Sequence, residues 1–357
     1  MRVVVATDRH PALSSAQAGA AIGTAWAELH AQVAVVPLGN ALEGFQQALA
    51  DLFAGSLDVF ADGTSLCEAA TEAGLIVALR PEHVPAEPGI DGASSSLALG
   101  RQVRDALERA RTRGPVAEVV LELGDRPCHD GGAGLLAAWG ATGDRPLEGG
   151  VDALTGITRC DLAPVREWLG DTRLTLVVPA GEKSRHLVGL KGITSVRGHQ
   201  VGIDPARLLA TDQALVDFAG ACGSGGVAAS AGAGAAGGIG HAVMALGGRV
   251  LTGAGYGREA AKLDQTISRA DLVITGGGQL DFGTMGGDVL FTVVEAATQA
   301  LRPVIAIAEQ NSISARELRS IGVEAAYSVR DPQAAGGPVE AGELTRAARP
   351  VAASWVW

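Results

Sequence analysis

Lysine is nearly missing from this chain. Only Lys183, Lys191 and Lys262 stand among 28 basic residues, so an anion site here depends mainly on the fork-shaped guanidinium of arginine. A basic surplus is missing too. With 39 acidic residues the net charge is −11, which argues against a nucleic-acid partner, because phosphate neutralisation needs a basic surface. No two cysteines form a CxxC pair. Cys67, Cys128, Cys160 and Cys222 read as small buried apolar residues of a reducing compartment, not as disulfides. Neither an HxxxH nor a Cys/His group suggests zinc, and without GxxxxGK[ST] the chain is no P-loop kinase. The opening run Val3 to Ala6 is too short for a signal-peptide core, so a cytoplasmic protein is expected. Residues 218–248 lack Asp, Glu, Lys and Arg, a length that could span a bilayer. They are mostly Gly and Ala with His241 inside, which favours a packed glycine loop and a small-residue helix. No internal repeat and no heptads occur.

What is present points to an α/β protein. A length of 357 residues exceeds what one core usually supports, so two domains are expected. Apolar residues make up 47%, ample for burial, and the 50 glycines cluster after apolar runs, as α/β turns and ligand loops require. Val3 to Ala6 reads as a strand. Ser14 or Ser15 then caps a helix with Ile22, Trp26 and Leu29 inward, and Val33 to Val36 closes a βαβ unit. Further strands are expected at Val119 to Leu123, Leu174 to Val178, Leu272 to Thr275 and Val304 to Ala308, with helices over Leu97 to Arg111 and Leu290 to Leu301. Such alternation favours a largely parallel sheet covered on both faces. Pro81 to Pro88 and Pro332 to Pro338 read as connections.

In such folds ligands collect beyond the carboxyl ends of parallel strands, so the residues following each strand are the ones that matter. These are Asp8; Asn40 with Glu43-Gly44; His129-Asp130-Gly131-Gly132-Ala133-Gly134; and Thr275-Gly276-Gly277-Gly278 with Asp281, Thr284 and Gly287. Glycines let backbone N–H groups approach phosphate, and the carboxylates can hold Mg²⁺ or orient a hydroxyl. Taken singly, each Asp is more simply a turn former or helix cap. Gly232 to Gly237 fits GxGxxG, but no strand precedes it, so a dinucleotide site is a distant reading. Lys183, Arg185, His186, Lys191 and Arg197 form either an attraction for an anionic substrate or a solvated loop. The arginine-rich stretch Arg101 to Arg113 reads as a wet helix face.

In their order along the chain these blocks resemble the bacterial type I glycerate kinases. The carriers are Thr7-Asp8-Arg9-His10-Pro11, Ser15-Ala16, Asn40 to Gly44, Ser94-Ser95-Ser96 with Gly100, His129 to Gly134, Gly234 to Gly238, and the spaced set Thr275, Gly276, Gly278, Asp281, Thr284 and Gly287. The resemblance implies a Rossmann-like parallel-sheet domain from both chain ends, 1–60 with 265–357, and an inserted α/β domain, 61–264, flanking a cleft. It implies ATP- and Mg²⁺-dependent phosphorylation of glycerate or a related small hydroxy acid, a nucleotide partner, and no membrane. Asp8, Asp130, Glu182 and Asp281 become the catalytic candidates, with Asp130 and Asp281 as Mg²⁺ ligands. Ser95, Ser96, Arg185, Lys191, Gly234, Gly237, Gly238, Thr275, Gly276, Gly278 and Thr284 become the substrate and phosphate contacts. Several family charges are replaced: Pro11 and Asp288 stand for lysines, Asn40 for aspartate, Gly277 for glutamate, Gln279 for arginine, Glu182 for aspartate and Arg185 for asparagine. Losing charge neutralisation weakens phosphoryl transfer, so a second reading stands beside the first: a paralogue that binds a small anion without turnover.

Overall fold

The computed structural model describes residues 1–82, 89–281, 287–331 and 337–356. Two main sheets organise it, built in chain order from β1 (Arg2–Thr7), β2 (Gln32–Pro37), β3 (Ser56–Val59), β4 (Ser65–Thr71), β5 (Gly74–Arg80), β6 (Val116–Glu122), β7 (Arg173–Val177), β8 (Arg249–Leu251), β9 (Leu272–Thr275), β10 (Val304–Ala308) and β11 (Ala325–Ser328). The chain divides into two units: Met1–Gly55 with Thr252–Trp357, and Ser56–Leu251. The sequence reading placed these boundaries at 60/61 and 264/265. The earlier first boundary follows from β3, which pairs antiparallel with β4 and so belongs to the inserted unit. The earlier second boundary follows from the Gly253–Ala260 and Leu263–Ser268 helices, whose Ala254, Leu263 and Ile267 join the core of the first unit.

In the first unit the sheet runs β11-β10-β9-β1-β2, every pairing parallel. Val3 sits opposite both Leu272 and Val33, so the apolar runs read from the sequence lie side by side. Strands buried on both faces need continuous apolar runs. Accordingly Val3 and Val5 face one layer with Ile22, Trp26 and Leu344, while Val4 and Ala6 face another with Ile267, Val289 and Val293. Ser14 starts the first helix by a reciprocal capping box: its Oγ accepts from the Gln17 N–H, and its own N–H donates to Gln17 Oε1. Leu29, expected on the inner face, lies beyond the end of that helix and is exposed.

The inserted unit has a mixed sheet, β8-β7-β6-β5-β4-β3, parallel from β8 to β5 and antiparallel at β5/β4 and β4/β3. Only β4 runs against the other five strands, so the sheet is largely parallel, as expected. The charge-free stretch is split among the end of the Pro205–Ala221 helix, a turn of helix at Gly225–Ala228, and the Ala235–Ala245 helix. No described helix is long and apolar enough to cross a membrane. Ala236, Gly237 and Gly238 have φ of 52°, 75° and 96°, so the regular helix effectively starts at Ile239, as the sequence suggested. A Cβ on Gly237 would stand 2.1 Å from the Cys128 carbonyl oxygen, and one on Gly238 2.6 Å from Gly131 Cα. Only glycine meets both demands there. All four cysteines are free.

Candidate active site

The strand order of the first unit is that of a doubly wound sheet whose direction of winding reverses between β1 and β9. Ligands of such sheets bind at the carboxyl ends flanking that reversal. Asp8 follows β1 there, and Gly276 to Gly278 follow β9. The Asp8 N–H donates to the Gly276 carbonyl at 2.9 Å, and Thr7 Oγ1 donates to the same oxygen at 2.8 Å. Gly276 holds φ 150°, and a Cβ on it would collide with the Ile307 carbonyl oxygen at 1.8 Å. Gly277 and Gly278 lie against Asp8 and Pro11, with virtual Cβ contacts of 3.3 and 3.0 Å. The glycines thus let backbone from two strand ends meet.

Asp8 is half-buried. Asn40 Nδ2 donates to its Oδ2 at 2.5 Å and the Arg9 N–H to its Oδ1 at 2.7 Å. Burial pushes its carboxyl up to about 7. The Glu43 and Asp288 carboxylates push the same way, against the Arg9 amide and guanidinium. Several buried polar atoms around these strand ends have no partner among the described residues: Thr275 Oγ1, Asn40 Oδ1, Glu309 Oε2 and both ring nitrogens of His10. Buried polar groups are nearly always satisfied. Orphans gathered at the ends of β1, β2, β9 and β10 therefore suggest contacts that a ligand completes. Burial holds His10 neutral, down to about 4.

The inserted unit holds two further constellations. In one, the fully buried Asp130 accepts from the Ser96 N–H and Oγ at 2.8 Å each, the Gly132 and Gly134 N–H at 3.0 Å, and Ser95 Oγ at 3.4 Å. Ser96 Oγ in turn accepts from the Leu135 N–H at 2.9 Å. Asp130, expected as an Mg²⁺ ligand, and Ser96, expected as a phosphate contact, are thus both engaged in hydrogen bonds within the inserted unit. The carboxylate ties the start of the Leu97–Arg111 helix to the Gly132–Gly134 turn and faces no solvent. In the other, Glu182 accepts from Arg185 Nε at 2.8 Å and from the Ala236 N–H at 3.1 Å. It thereby fastens the turn after β7 to the glycine-rich kink. Burial pushes its carboxyl up, countered by Arg185. Arg185 also reaches Asp125 at 3.6 Å, and the buried Arg197 pairs with the same Asp125 and donates to the Cys128 carbonyl at 2.8 Å. The basic group is therefore divided: Arg185 and Arg197 are engaged, while Lys183 and Lys191 are exposed.

Of the residues singled out in the sequence, Asp8, Thr275, Gly276 and Gly278 come together at the reversal of the first unit. Asp281 is half-buried after the short strand Gln279–Leu280 of that unit. Glu182, Arg185, Gly234, Gly237 and Gly238 belong to the inserted unit, where a Cβ on Gly234 would meet the His186 carbonyl at 2.1 Å. Thr284 lies outside the described residues. Glu309 and His10 were missed. Glu309 directly follows β10, so the rule of inspecting strand ends would have found it, and His10 stands two residues past Asp8. The arginine stretch is not simply wet: Arg104 and Arg111 lie over the Trp168 ring, each 5.4 Å from its centroid. Among the described residues no three His, Cys, Asp or Glu side chains form a ready metal cage.

A two-unit α/β protein with carboxylates and glycine turns at the carboxyl ends of parallel strands is the class this architecture defines. The chain belongs to the glycerate kinase family, whose sequence profile matches residues 3–353. It is 28% identical to glycerate 2-kinase of Escherichia coli K12, covering 92% of this chain and 90% of that one. It is 30% identical to an uncharacterised protein of Mycobacterium bovis, covering 93% and 84%. In structure it is similar to a putative glycerate kinase 2 from Salmonella typhimurium LT2, with TM-score 0.73, 25% identity and coverage of 99% and 98%.

Proposed function

We propose that this chain transfers the terminal phosphoryl group of ATP to a hydroxyl of glycerate or a closely related small hydroxy acid. The observation that carries the reading is Asp8: a carboxyl pushed up to about 7, placed at the winding reversal beside the Gly276–Gly278 turn. A proton acceptor works best with a pKa near the working pH. Asp8 takes the proton of the substrate hydroxyl as the new O–P bond forms and the bond to ADP breaks. Asn40, donating to Oδ2, holds the acceptor in place. The Thr275 hydroxyl, without a partner among the described residues, and the close-packed glycine turn contact phosphate.

The donor set fits Mg²⁺, which keeps several waters and takes one or two carboxylates plus phosphate oxygens, so a full protein cage is not required. Asp288 and Asn40 Oδ1 beside Asp8, with Asp281, are the oxygens that would hold it. The ion supplies charge neutralisation on the transferred group. Arg9, exposed next to Asp8, supplies the positive charge that the family's lysine gives at the position of Pro11. Glu182 and Arg185 orient the glycine-rich kink of the inserted unit.

One observation favours the second reading, a binding paralogue without turnover. Asp288, where the family has lysine, adds negative charge beside Asp8. Coupled ADP release with ATP·Mg and D- or L-glycerate, run beside thermal shifts with each ligand alone, separates the two. Turnover with either enantiomer supports the kinase. A ligand shift without ADP release moves the assignment to the binding protein.

A further inference from the structure

A cavity of about 410 Å³ opens in the first unit at the amino-terminal edge of its sheet, between the starts of β1 and β2 and the Leu263–Ser268 helix. Three cations line it: Arg2, Lys262 and Arg269. Val4, Ala34 and Ala270 give it an apolar floor. No Asp or Glu is among its lining residues, in a chain whose net charge is −11. Arg2 pairs with Asp271, outside the cavity, at 3.6 Å. Lys262 and Arg269 have no ion pair among the described residues, and both are exposed. Lys262 also holds a left-handed backbone, φ 50° and ψ 44°, a conformation costly for a residue with a side chain and concentrated at functional positions.

Strand residues rise about 3.3 Å each, so the four to six steps that separate Val4 and Arg2 from Asp8 set this cavity about 13–20 Å from the Asp8 end of the strand. It is therefore no part of the site described above. We propose that it is a second binding site, for a small organic anion that carries a phosphate or carboxylate group on an apolar body. The guanidinium groups and the ammonium take the charged group, and the Val4/Ala34/Ala270 floor takes the body. A polynucleotide does not fit this chemistry, because three cations in an acidic protein cannot neutralise a run of phosphates.

Isothermal titration of the full chain with phenyl phosphate and, separately, with benzoate tests the proposal and tells the two headgroups apart. Inorganic phosphate serves as the probe without an apolar body. The expected result is saturable binding of phenyl phosphate or benzoate, tighter than inorganic phosphate. It should weaken at least tenfold in Lys262→Gln/Arg269→Gln, and also in the single reversal Arg269→Glu, with circular dichroism unchanged. Asp8→Asn should leave it intact, and 0.5 M salt should weaken it, since exposed charges are screened over about 3–10 Å at such concentrations. Equal binding by the parent and both cation variants overturns the proposal, as does a parent that binds neither organic probe. Binding lost in Asp8→Asn but kept in the cation variants would place the ligand at the Asp8 end and overturn it as well.

Discussion

Replacing Asp130 by alanine should unfold the inserted unit far more easily, and the size of the effect follows from its hydrogen bonds. The carboxylate is fully buried and satisfies three backbone N–H groups, those of Ser96, Gly132 and Gly134, together with the Ser96 hydroxyl. Each buried donor left without a partner costs about 1–3 kcal/mol. Water entering the small void offsets part of that, leaving a net loss of about 4 kcal/mol. For a unit of this size each kcal/mol moves the melting temperature about 2–4 °C, so a fall of about 10 °C is expected. Asp130→Asn keeps one oxygen but turns an NH₂ toward donors, and should lose about half as much. Differential scanning calorimetry of the three proteins without ligand is the assay. A melting temperature within about 2 °C of the parent for Asp130→Ala would refute the reasoning and return Asp130 to the list of ligand contacts.

Gly237→Val should prevent stable folding of the inserted unit, because its Cβ would stand 2.1 Å from the Cys128 carbonyl at φ 75°; urea unfolding that matches the parent would contradict this. His10 has a folded pKa of about 4 against 6.5, so the unfolded chain binds its proton between those values and stability is lost as pH falls through that window. His10→Phe should therefore gain on the parent as pH drops from 7 to 4, by up to about 3 kcal/mol, and a difference independent of pH in denaturant titrations would be evidence against a buried neutral ring. Glu182→Gln should raise KM or lower kcat while the protein stays folded, since Gln keeps the acceptor for the Ala236 N–H but loses the pairing with Arg185; unchanged steady-state kinetics would remove it from the working parts.

A residue's role is legible in the sequence where it is local and hidden where it is tertiary. Val3 to Val5, Leu272 to Ile274 and Val304 to Ile307 are apolar without interruption, as doubly covered strands require, and they pair as neighbours; the equally apolar Val33 to Val36 joins them as an edge strand with Val35 exposed. The left-handed kink at Gly237 and Gly238 was legible because glycine has one main reason to recur there. Strands β3 and β4 were not, since β3 buries none of its four residues fully and the buried positions of β4 are filled by Ser65, Cys67 and Ala69, small residues that announce no strand. The Pro205–Ala221 helix leaves Leu209 and Val216 exposed, which blurs its period. Asp130 is ambiguous in the sequence for a different reason. A carboxylate beside glycines looks the same whether it awaits a ligand or caps its own loop, and the bonds to the Ser96 and Gly134 N–H groups, which favour the cap, are tertiary. Asp8 shares that ambiguity in the sequence, but in the structure it is held by two donors and crowded by Glu43 and Asp288.

The proposed chemistry turns on Asp8, and one measurement addresses it directly: kcat/KM for glycerate at saturating ATP·Mg, from pH 5.5 to 9, for the parent and Asp8→Asn. The parent should rise with pH through about 7, as the Asp8 carboxyl loses its proton. Asp8→Asn should be lower by about 10²-fold or more and should lose that inflection. Parent activity that is flat across the range, or an Asn variant that keeps both its rate and its inflection, would contradict the assignment of Asp8 as the proton acceptor.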